Sequence, residues 1–93
     1  MIEVQHDRVA QQFYVALDGQ KAVLQYRTAP GRMIFVHTEV PEAYQHHGIA
    51  DQLAHAGLEY ARAHDLKVEC YCPYVAAYLH RHPEYQSLQL KKP

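Results

Sequence analysis

The sequence contains no tryptophan, no long apolar run and almost no net charge, which is −1 with histidines counted as neutral. A transmembrane helix needs about 18 consecutive apolar residues, so none is predicted. The opening residues include Glu3 and Asp7 and lack a long apolar segment, so we predict no secretory signal and a cytoplasmic location. Because lysine and arginine form no block, we expect neither a nucleic acid nor a membrane as partner.

Cysteine is also scarce, with Cys70 and Cys72 separated by a single residue. On a strand their Cα atoms lie two rises of ~3.3 Å apart, close to the outer limit for a disulfide. We therefore expect reduced thiols, as in cytosolic proteins. The chain has 93 residues, which suits one domain over residues 1–93 with a modest core.

The clearest strand signal lies in the first third of the chain. Two runs of β-forming residues, 12–17 and 21–27, flank Asp18-Gly19. An Asp-Gly step between such runs is the strongest short signal for a β-hairpin. A weaker alternation over residues 2–7 predicts another strand before this hairpin.

A further strand is predicted over residues 33–40, after a Pro-Gly turn and before Pro41. Both of its faces are apolar at the start, which favours an inner position in the sheet. Strict alternation places on one face Met33, Phe35, His37 and Glu39. We therefore expect the last two of these side chains to lie together on the face of the first two.

From residue 49 the apolar period becomes helical. The stripe consists of Ile49, Leu53, Ala56 and Tyr60, widened by Ala50, Ala54, Leu58 and Ala61. This pattern predicts an amphipathic helix of about four turns. A strand over residues 66–71 and a shorter helix follow, with Pro73 in the first helical position and Pro83 beyond the end.

The order of the predicted elements defines a fold class. A strand, a long helix and another strand form a βαβ crossover, which pairs the two strands in parallel. We therefore predict an α/β (α+β) fold, with an antiparallel β-meander, then a βαβ unit, then a short C-terminal helix.

The segment between the third run and the long helix is the candidate functional loop. The first four amides of a helix lack internal partners and carry a partial positive charge, so a loop feeding them suits a phosphate. Gly48 permits a positive φ or a close approach of the backbone to a ligand. Taken alone, Gly48 is more simply explained as the turn before a helix. The segment has neither G-K-[ST] nor GxGxxG, which excludes a nucleotide P-loop and a dinucleotide fingerprint.

Several motifs together point to a family. "QHHGIA" (residues 45–50) fits the [Q/R]-x-x-G-x-[G/A] motif of GNAT N-acetyltransferases, and it follows a predicted meander and opens a predicted helix. "HTEVP" (37–41) and "CPYVAAY" (72–78) match, in order, H-T-x-V-P and C-P-[FY]-V-x-x-Y. The chain thus resembles the minimal GNAT-like acetyltransferases over most of its length. It departs from them at Gln45-His46, where many members carry Arg-Gly.

The resemblance implies an N-acetyltransferase that moves an acetyl group from acetyl-coenzyme A (acetyl-CoA) to an amine. Backbone groups near Val40 would pair with the pantetheine arm, and amides around Gly48 would hold the pyrophosphate. The implied cofactor contacts are Thr38, Val40, Gln45, His46, His47, Gly48, Ile49, Ala50, Asp51 and Cys72. The acceptor is open: polyamine, lysine side chain, N-terminus and small metabolite all fit.

The same resemblance suggests four catalytic residues, each with a structural alternative. His37 would lie beside the acetyl group, or it is a hydrogen-bonded core histidine. Glu39 would be the general base, directly or through water, or it is a solvated strand-end carboxylate. Tyr78 would donate a proton to the leaving thiolate, or it is a packed core tyrosine. Cys72 precedes a helix, which lowers a thiol's pKa; it is either an acetyl-accepting nucleophile or a residue lining the pocket.

Two other classes of function remain open from the sequence. One is a module that binds coenzyme A (CoA) or a protein without turnover. The other is a metal protein, with Cys70, Cys72, His80 and His82 as ligands. A tetrahedral zinc needs four converging ligands, whereas the two histidines would diverge by roughly 200° on a helix. We therefore predict no metal site.

Overall fold

The computed structural model describes residues 3–89, which form a five-stranded mixed sheet with two α-helices. The strands are β1 (Gln5–Asp7), β2 (Gln12–Leu17), β3 (Gln20–Ala29), β4 (Arg32–Glu39) and β5 (Lys67–Cys70). The helices are α1 (Ile49–Ala63) and α2 (Pro73–Arg81), with 3₁₀ turns η1 (Glu42–Tyr44) and η2 (Pro83–Leu88). No helix within residues 3–89 has the length and apolarity to span a membrane.

Strand order in the sheet follows chain order, β1-β2-β3-β4-β5. The first four strands are antiparallel to their neighbours, and β4 and β5 are parallel. The predicted α/β (α+β) class, the meander and the βαβ unit are therefore confirmed. The predicted first strand begins partly outside the described residues, and η2 was not predicted.

The hairpin and the helix start are both as the sequence indicates. Leu17 pairs with Gln20 around the Asp18-Gly19 step, and Gly19 has a φ of 73°. Glycine takes this left-handed conformation without the steric cost that other residues incur. At the second helix Pro73 occupies the first position, where its missing N–H costs no hydrogen bond.

The core lies between one face of the sheet and the helices. The buried strand residues are Phe13, Val15, Ala22, Leu24, Tyr26, Met33, Phe35 and Val68. Residues that alternate with them in the inner strands are half-buried or exposed, so the helices cover one face. On α1 the buried stripe is centred on Gly57, where a Cβ atom would meet Phe35 Cε1 at 2.7 Å. The helix can approach the sheet this closely because glycine has no side chain.

A β-bulge interrupts the pairing of β3 with β4. Tyr26 pairs with Phe35, but the next residue on β3, Gln25, pairs with His37. Val36 therefore has no residue opposite it. An extra residue of this kind shifts the alternation of side chains in the strand that contains it.

The bulge corrects one prediction about β4. After it, Thr38 lies opposite Leu24, which is buried on the helix-covered face. His37 and Glu39 lie together on the uncovered face, whereas Phe35 is buried on the other. The prediction that Met33, Phe35, His37 and Glu39 all share one face was wrong, because strict alternation assumes an unbroken strand.

The pairing of β4 with β5 ends halfway along β4. The last pair in register is Phe35 with Cys70. The Phe35 carbonyl also accepts hydrogen bonds from the backbone amides of Tyr71 and Cys72, at 2.9 and 3.2 Å. We call residues 32–35 the paired half of β4 and residues 36–39 the split half. The split half pairs with β3 alone among the described residues.

Candidate functional site

A cleft of ≈ 550 Å³ lies between the split half of β4 and the start of α1. Its lining residues come from the end of β4, the following loop, the first turn of α1 and the first turn of α2. They are Thr38, Val40, Tyr44, Gln45, His46, Gly48, Ile49, Ala50, Asp51 and Tyr74. The structure thus brings together eight of the ten predicted cofactor contacts. His47 and Cys72 are not among the lining residues, and Tyr44 and Tyr74 were not predicted.

The loop into α1 exposes a run of backbone donors. None of the amides of residues 46–51 donates to a protein acceptor within residues 3–89. The first bond of the helix is Gln52 N to the Gly48 carbonyl, at 3.1 Å. His46 and Gly48 both have a positive φ, 68° and 77°. Unpartnered amides at a helix N-terminus are suited to binding an anion.

Gly48 is favoured by its conformation and not by a lack of space. A Cβ atom built at this position has no heavy atom within 4 Å, so the backbone there is open on that side. The left-handed φ costs a residue with a side chain about 1–2 kcal/mol. The predicted role of this glycine, a turn that leaves the backbone accessible, agrees with this geometry.

Gln45 is used within the loop. Its side-chain Nε2 donates to the Val40 carbonyl at 3.1 Å, and its amide donates to the carbonyl of Glu42 at 3.2 Å. The side chain thus ties the loop to the end of β4. Its role as a cofactor contact stays a prediction, as does the pairing of the Val40 backbone with the pantetheine arm.

A cluster of three side chains joins α1 to α2 at one side of the cleft. The Tyr74 hydroxyl donates to Asp51 Oδ1, and Arg81 Nη2 lies 3.3 Å from the same oxygen. Burial, followed by the hydrogen bond to Asp51, raises the pKa of Tyr74 above its usual value. The tyrosine therefore stays protonated at neutral pH and keeps donating to the carboxylate.

Cys72 lies where the pairing of β4 with β5 ends, two residues after the last residue of β5. It is the N-cap residue of α2 and is 3% exposed, and its Sγ lies 3.0 Å from Thr38 Oγ1. Thr38 does line the cleft. Burial raises the pKa of Cys70 to about 11, so this second thiol carries almost no thiolate at neutral pH. Both cysteines are free.

The remaining predicted catalytic residues lie outside the cleft lining. His37 Nε2 and Glu39 Oε2 are 3.5 Å apart on the uncovered face of the sheet, with side chains 55% and 71% exposed. His37 is thus not a core histidine. Tyr78 is 5% exposed, stacks on the ring of His82, and has a pKa raised by burial. The catalytic roles of these three residues stay predictions.

The Cys/His set weighed as an alternative does not form a site. Within residues 3–89, no three His, Cys, Asp or Glu side chains are grouped so that they could hold a metal ion. His82 instead lies 3.7 Å from Glu84 and stacks on Tyr78.

Two residues of the site carried only weak signals in the sequence. Tyr74 lies in the C-P-Y segment and four residues before Tyr78, which places it on the same helical face but does not show that it reaches α1. Arg81 is 30 positions from Asp51. No local pattern connects residues that far apart.

Comparison with known proteins agrees with this geometry. The family model of the GCN5-related N-acetyl-transferases matches residues 12–88. The protein NATD1 of Gallus gallus is 41% identical over 95 residues, covering 99% of this chain and 86% of its own length. NATD1 of Homo sapiens is also 41% identical, covering 99% of this chain and 84% of its own length.

A solved structure shows the same fold. The solution structure of a GCN5-like protein from Staphylococcus aureus superposes with a TM-score of 0.71. It covers 98% of this chain and 90% of its own, at 24% sequence identity. On the family match and the NATD1 relatives, this chain belongs to the GCN5-related N-acetyltransferase family.

Proposed function

We propose that this protein is an N-acetyltransferase that transfers the acetyl group of acetyl-CoA to an amine. The observation that carries the proposal is the run of unpartnered amides at residues 46–51, in a cleft beside a strand whose pairing has ended. Family membership supports the same reaction class. A location in the cytoplasm is part of the proposal, supported by the two free thiols.

The residues present fit acetyl-CoA. Amides 46–51 would hold the pyrophosphate, since consecutive backbone donors bind phosphate without needing side-chain charge. The open space above Gly48 leaves room for a phosphate to approach the backbone. The split half of β4, unpaired on the β5 side, would lie along the pantetheine arm. Bound there, acetyl-CoA supplies an activated acetyl thioester.

In the overall reaction, a bond forms between the amine nitrogen and the acetyl carbon, and the carbon–sulfur bond breaks. The amine loses a proton, and the thiolate of CoA gains one. A free alkyl amine is protonated at pH 7, so a base must help. We propose that His37 and Glu39 together act as the general base, since they lie in the split half and reach bulk water on the uncovered face.

Two residues of the helix side are proposed for the leaving thiolate. Tyr78 is the candidate acid, since a tyrosine is protonated at neutral pH and burial raises the pKa of Tyr78 further. Cys72 contacts Thr38 near the point where the pairing of β4 with β5 ends. Cys72 either lines the path of the thioester or accepts the acetyl group first. Quenching with acid during turnover separates the two, because an acetyl-cysteine would be detected by mass spectrometry.

A second candidate function is CoA binding without turnover. It is favoured by the exposure of His37 and Glu39, since no described element encloses them into an acceptor pocket. The two functions differ in a direct measurement. Steady release of CoA that rises with added amines, such as polyamines or lysine peptides, would support the transferase. Saturable binding without release would support the binding module.

The proposal is tested first by calorimetric titration with acetyl-CoA and with CoA. We expect saturable binding in about the micromolar range, and a loss of at least about tenfold in Gly48→Glu, whose carboxylate would repel phosphate. Gly31→Glu is the matched control. Gly31 also has a positive φ, 72°, and open space, but lies in the turn at the far end of β4.

The control makes the result interpretable. If both variants fold, by circular dichroism, and both bind like wild type, the loop is not the phosphate site. If folded wild-type protein binds neither ligand, the proposed function is wrong and the fold alone stands.

A further inference from the structure

Among residues 3–89, those that line the proposed phosphate site include one carboxylate and no lysine or arginine. Asp51 lies in the first turn of α1 and lines the cleft directly beside the unpartnered amides. A carboxylate is favourable there for the helix, because it offsets the positive end of the macrodipole. For a phosphate it is unfavourable, because two anions would share one small volume.

The negative charge of Asp51 is compensated by Arg81 on α2. Arg81, in the last turn of α2, places Nη2 3.3 Å from Asp51 Oδ1, and the guanidinium lies over the ring of Tyr78 at 5.8 Å. Tyr74 donates its hydroxyl to the same oxygen. The carboxylate is therefore paired with a cation and turned toward α2, although its residue lines the cleft.

We propose that Arg81 enables the cleft to accept a phosphate anion by cancelling the charge of Asp51. This inference rests on the proposed acetyl-CoA site. Arg81 itself is not among the cleft-lining residues, so its effect on the ligand passes through Asp51. It is therefore a positioning residue and not a contact of the ligand.

The two residues then act as one electrostatic unit. Arg81→Gln leaves the Asp51 carboxylate uncompensated, and we expect a roughly three- to tenfold loss of CoA affinity at low ionic strength. Asp51→Asn removes the repelling charge and keeps an oxygen for the Tyr74 hydroxyl. In the Asp51→Asn background, Arg81→Gln leaves no uncompensated carboxylate in the cleft, so we expect no further loss of CoA affinity.

The experiment is a calorimetric double-mutant cycle with CoA on wild type, Arg81→Gln, Asp51→Asn and the double variant, at low and at high salt. Arg62→Gln is the matched control. It removes the same charge from an ion pair with Glu59 near the opposite end of α1, about 16 Å along the helix axis. We expect the control to bind CoA as wild type does.

The outcomes separate this inference from the proposed function. Weaker binding by Arg81→Gln that is rescued by Asp51→Asn and shrinks at high salt supports the proposal. An equal loss in both backgrounds overturns it, because Arg81 would then contact phosphate itself. A loss that salt does not change shows a merely structural role and also overturns it, as does an unchanged affinity. Absence of CoA binding by folded wild type refutes the acetyl-CoA site, and this inference with it.

Discussion

The two halves of β4 share one neighbour and differ in the other. The paired half runs between β3 and β5, and its Met33 and Phe35 are completely buried. The split half has β3 alone, and its His37 and Glu39 are mostly exposed. One strand thus provides both a packed core and an open edge, and the change occurs within a single residue of the bulge.

Hydrogen bonding differs between the two regions in the same way. Within residues 3–89, no fully buried side-chain nitrogen or oxygen lacks a partner. The backbone donors without a protein partner at residues 46–51 lie instead in the loop that follows the split half and in the first turn of α1. Stability should therefore depend on the paired half and its helix, and ligand binding on the split half and its loop.

The sharpest test of this division is to truncate one side chain in each half. Phe35→Ala removes a ring with no exposed surface, and we expect unfolding to become easier by about 3–5 kcal/mol. His37→Ala, two residues later, should change stability by less than about 0.5 kcal/mol, because its side chain is 55% exposed. Chemical denaturation measures both. Equal losses in the two variants would show that the bulge does not separate two kinds of region.

A smaller effect is expected where α1 meets the paired half. In Gly57→Ala, the new methyl group would lie 2.7 Å from Phe35 Cε1 and 3.2 Å from Leu24 Cδ2. Alanine gains about 1 kcal/mol of helix propensity over glycine, but overpacking costs about 1–3 kcal/mol. We expect a net loss of about 1 kcal/mol in the free energy of unfolding.

A second substitution checks the cause of that loss. Phe35→Leu shortens the side chain that the new methyl group would strike. Gly57→Ala should therefore cost less in a Phe35→Leu background than in wild type. Additive costs would mean that close packing at this point does not explain the glycine.

The parts of the fold that were predictable are those set by local chemistry. The Asp18-Gly19 step, the helical apolar period from Ile49 and the Pro73 start each act over a few residues, and each was confirmed. The bulge at Val36 was not predictable, because it depends on how β3 and β4 align. Gly57 was also overlooked, since its reason is a contact with another element and not its place in the helical period.

The residues of the candidate site also fall into two groups, those set by local sequence and those set by packing between elements. The loop residues were found because they follow one another in the sequence and fit a family motif. Tyr74 was missed as a lining residue because it reaches the cleft only through the packing of α2 on α1. The pairing of Arg81 with Asp51 depends on the same packing, and neither residue alone carries a signal for it.

The loop after the split half should respond to charge and not to packing. In a His46→Glu and His47→Glu double variant, two carboxylates would flank the proposed phosphate site. We expect roughly tenfold weaker CoA binding at low salt, by calorimetry, with the protein still folded.

The matched control places the same charges in another loop that contains a residue with a positive φ. Ala10→Glu with Gln11→Glu also changes two adjacent residues, of which the second has a positive φ of 57°, in the loop between β1 and β2. This control should bind CoA as wild type does. Equal losses in both double variants would indicate an effect of net charge alone, and the loop would lose its assigned role.

The smallest effect is expected from a change in pH. It concerns the packed region around Phe13, which does not line the cleft. His6 stacks on Phe13 and lies with its Nε2 2.5 Å from the Tyr26 hydroxyl. Burial, followed by the charge of Arg8, lowers the pKa of His6 in the folded protein. The unfolded chain therefore binds the proton more readily, with a pKa of about 6.5.

The sign of the effect follows from this difference. The contribution of His6 to stability is complete above the unfolded pKa and is lost as the pH falls through the lower folded pKa. His6→Gln keeps a polar group near Tyr26 but does not titrate. Denaturation at pH 7 and pH 5 should therefore show a smaller drop in stability for His6→Gln than for wild type, whereas His80→Gln, at an exposed position of α2, should match wild type. Equal drops in wild type and His6→Gln would mean that the acid sensitivity of the packed region originates elsewhere.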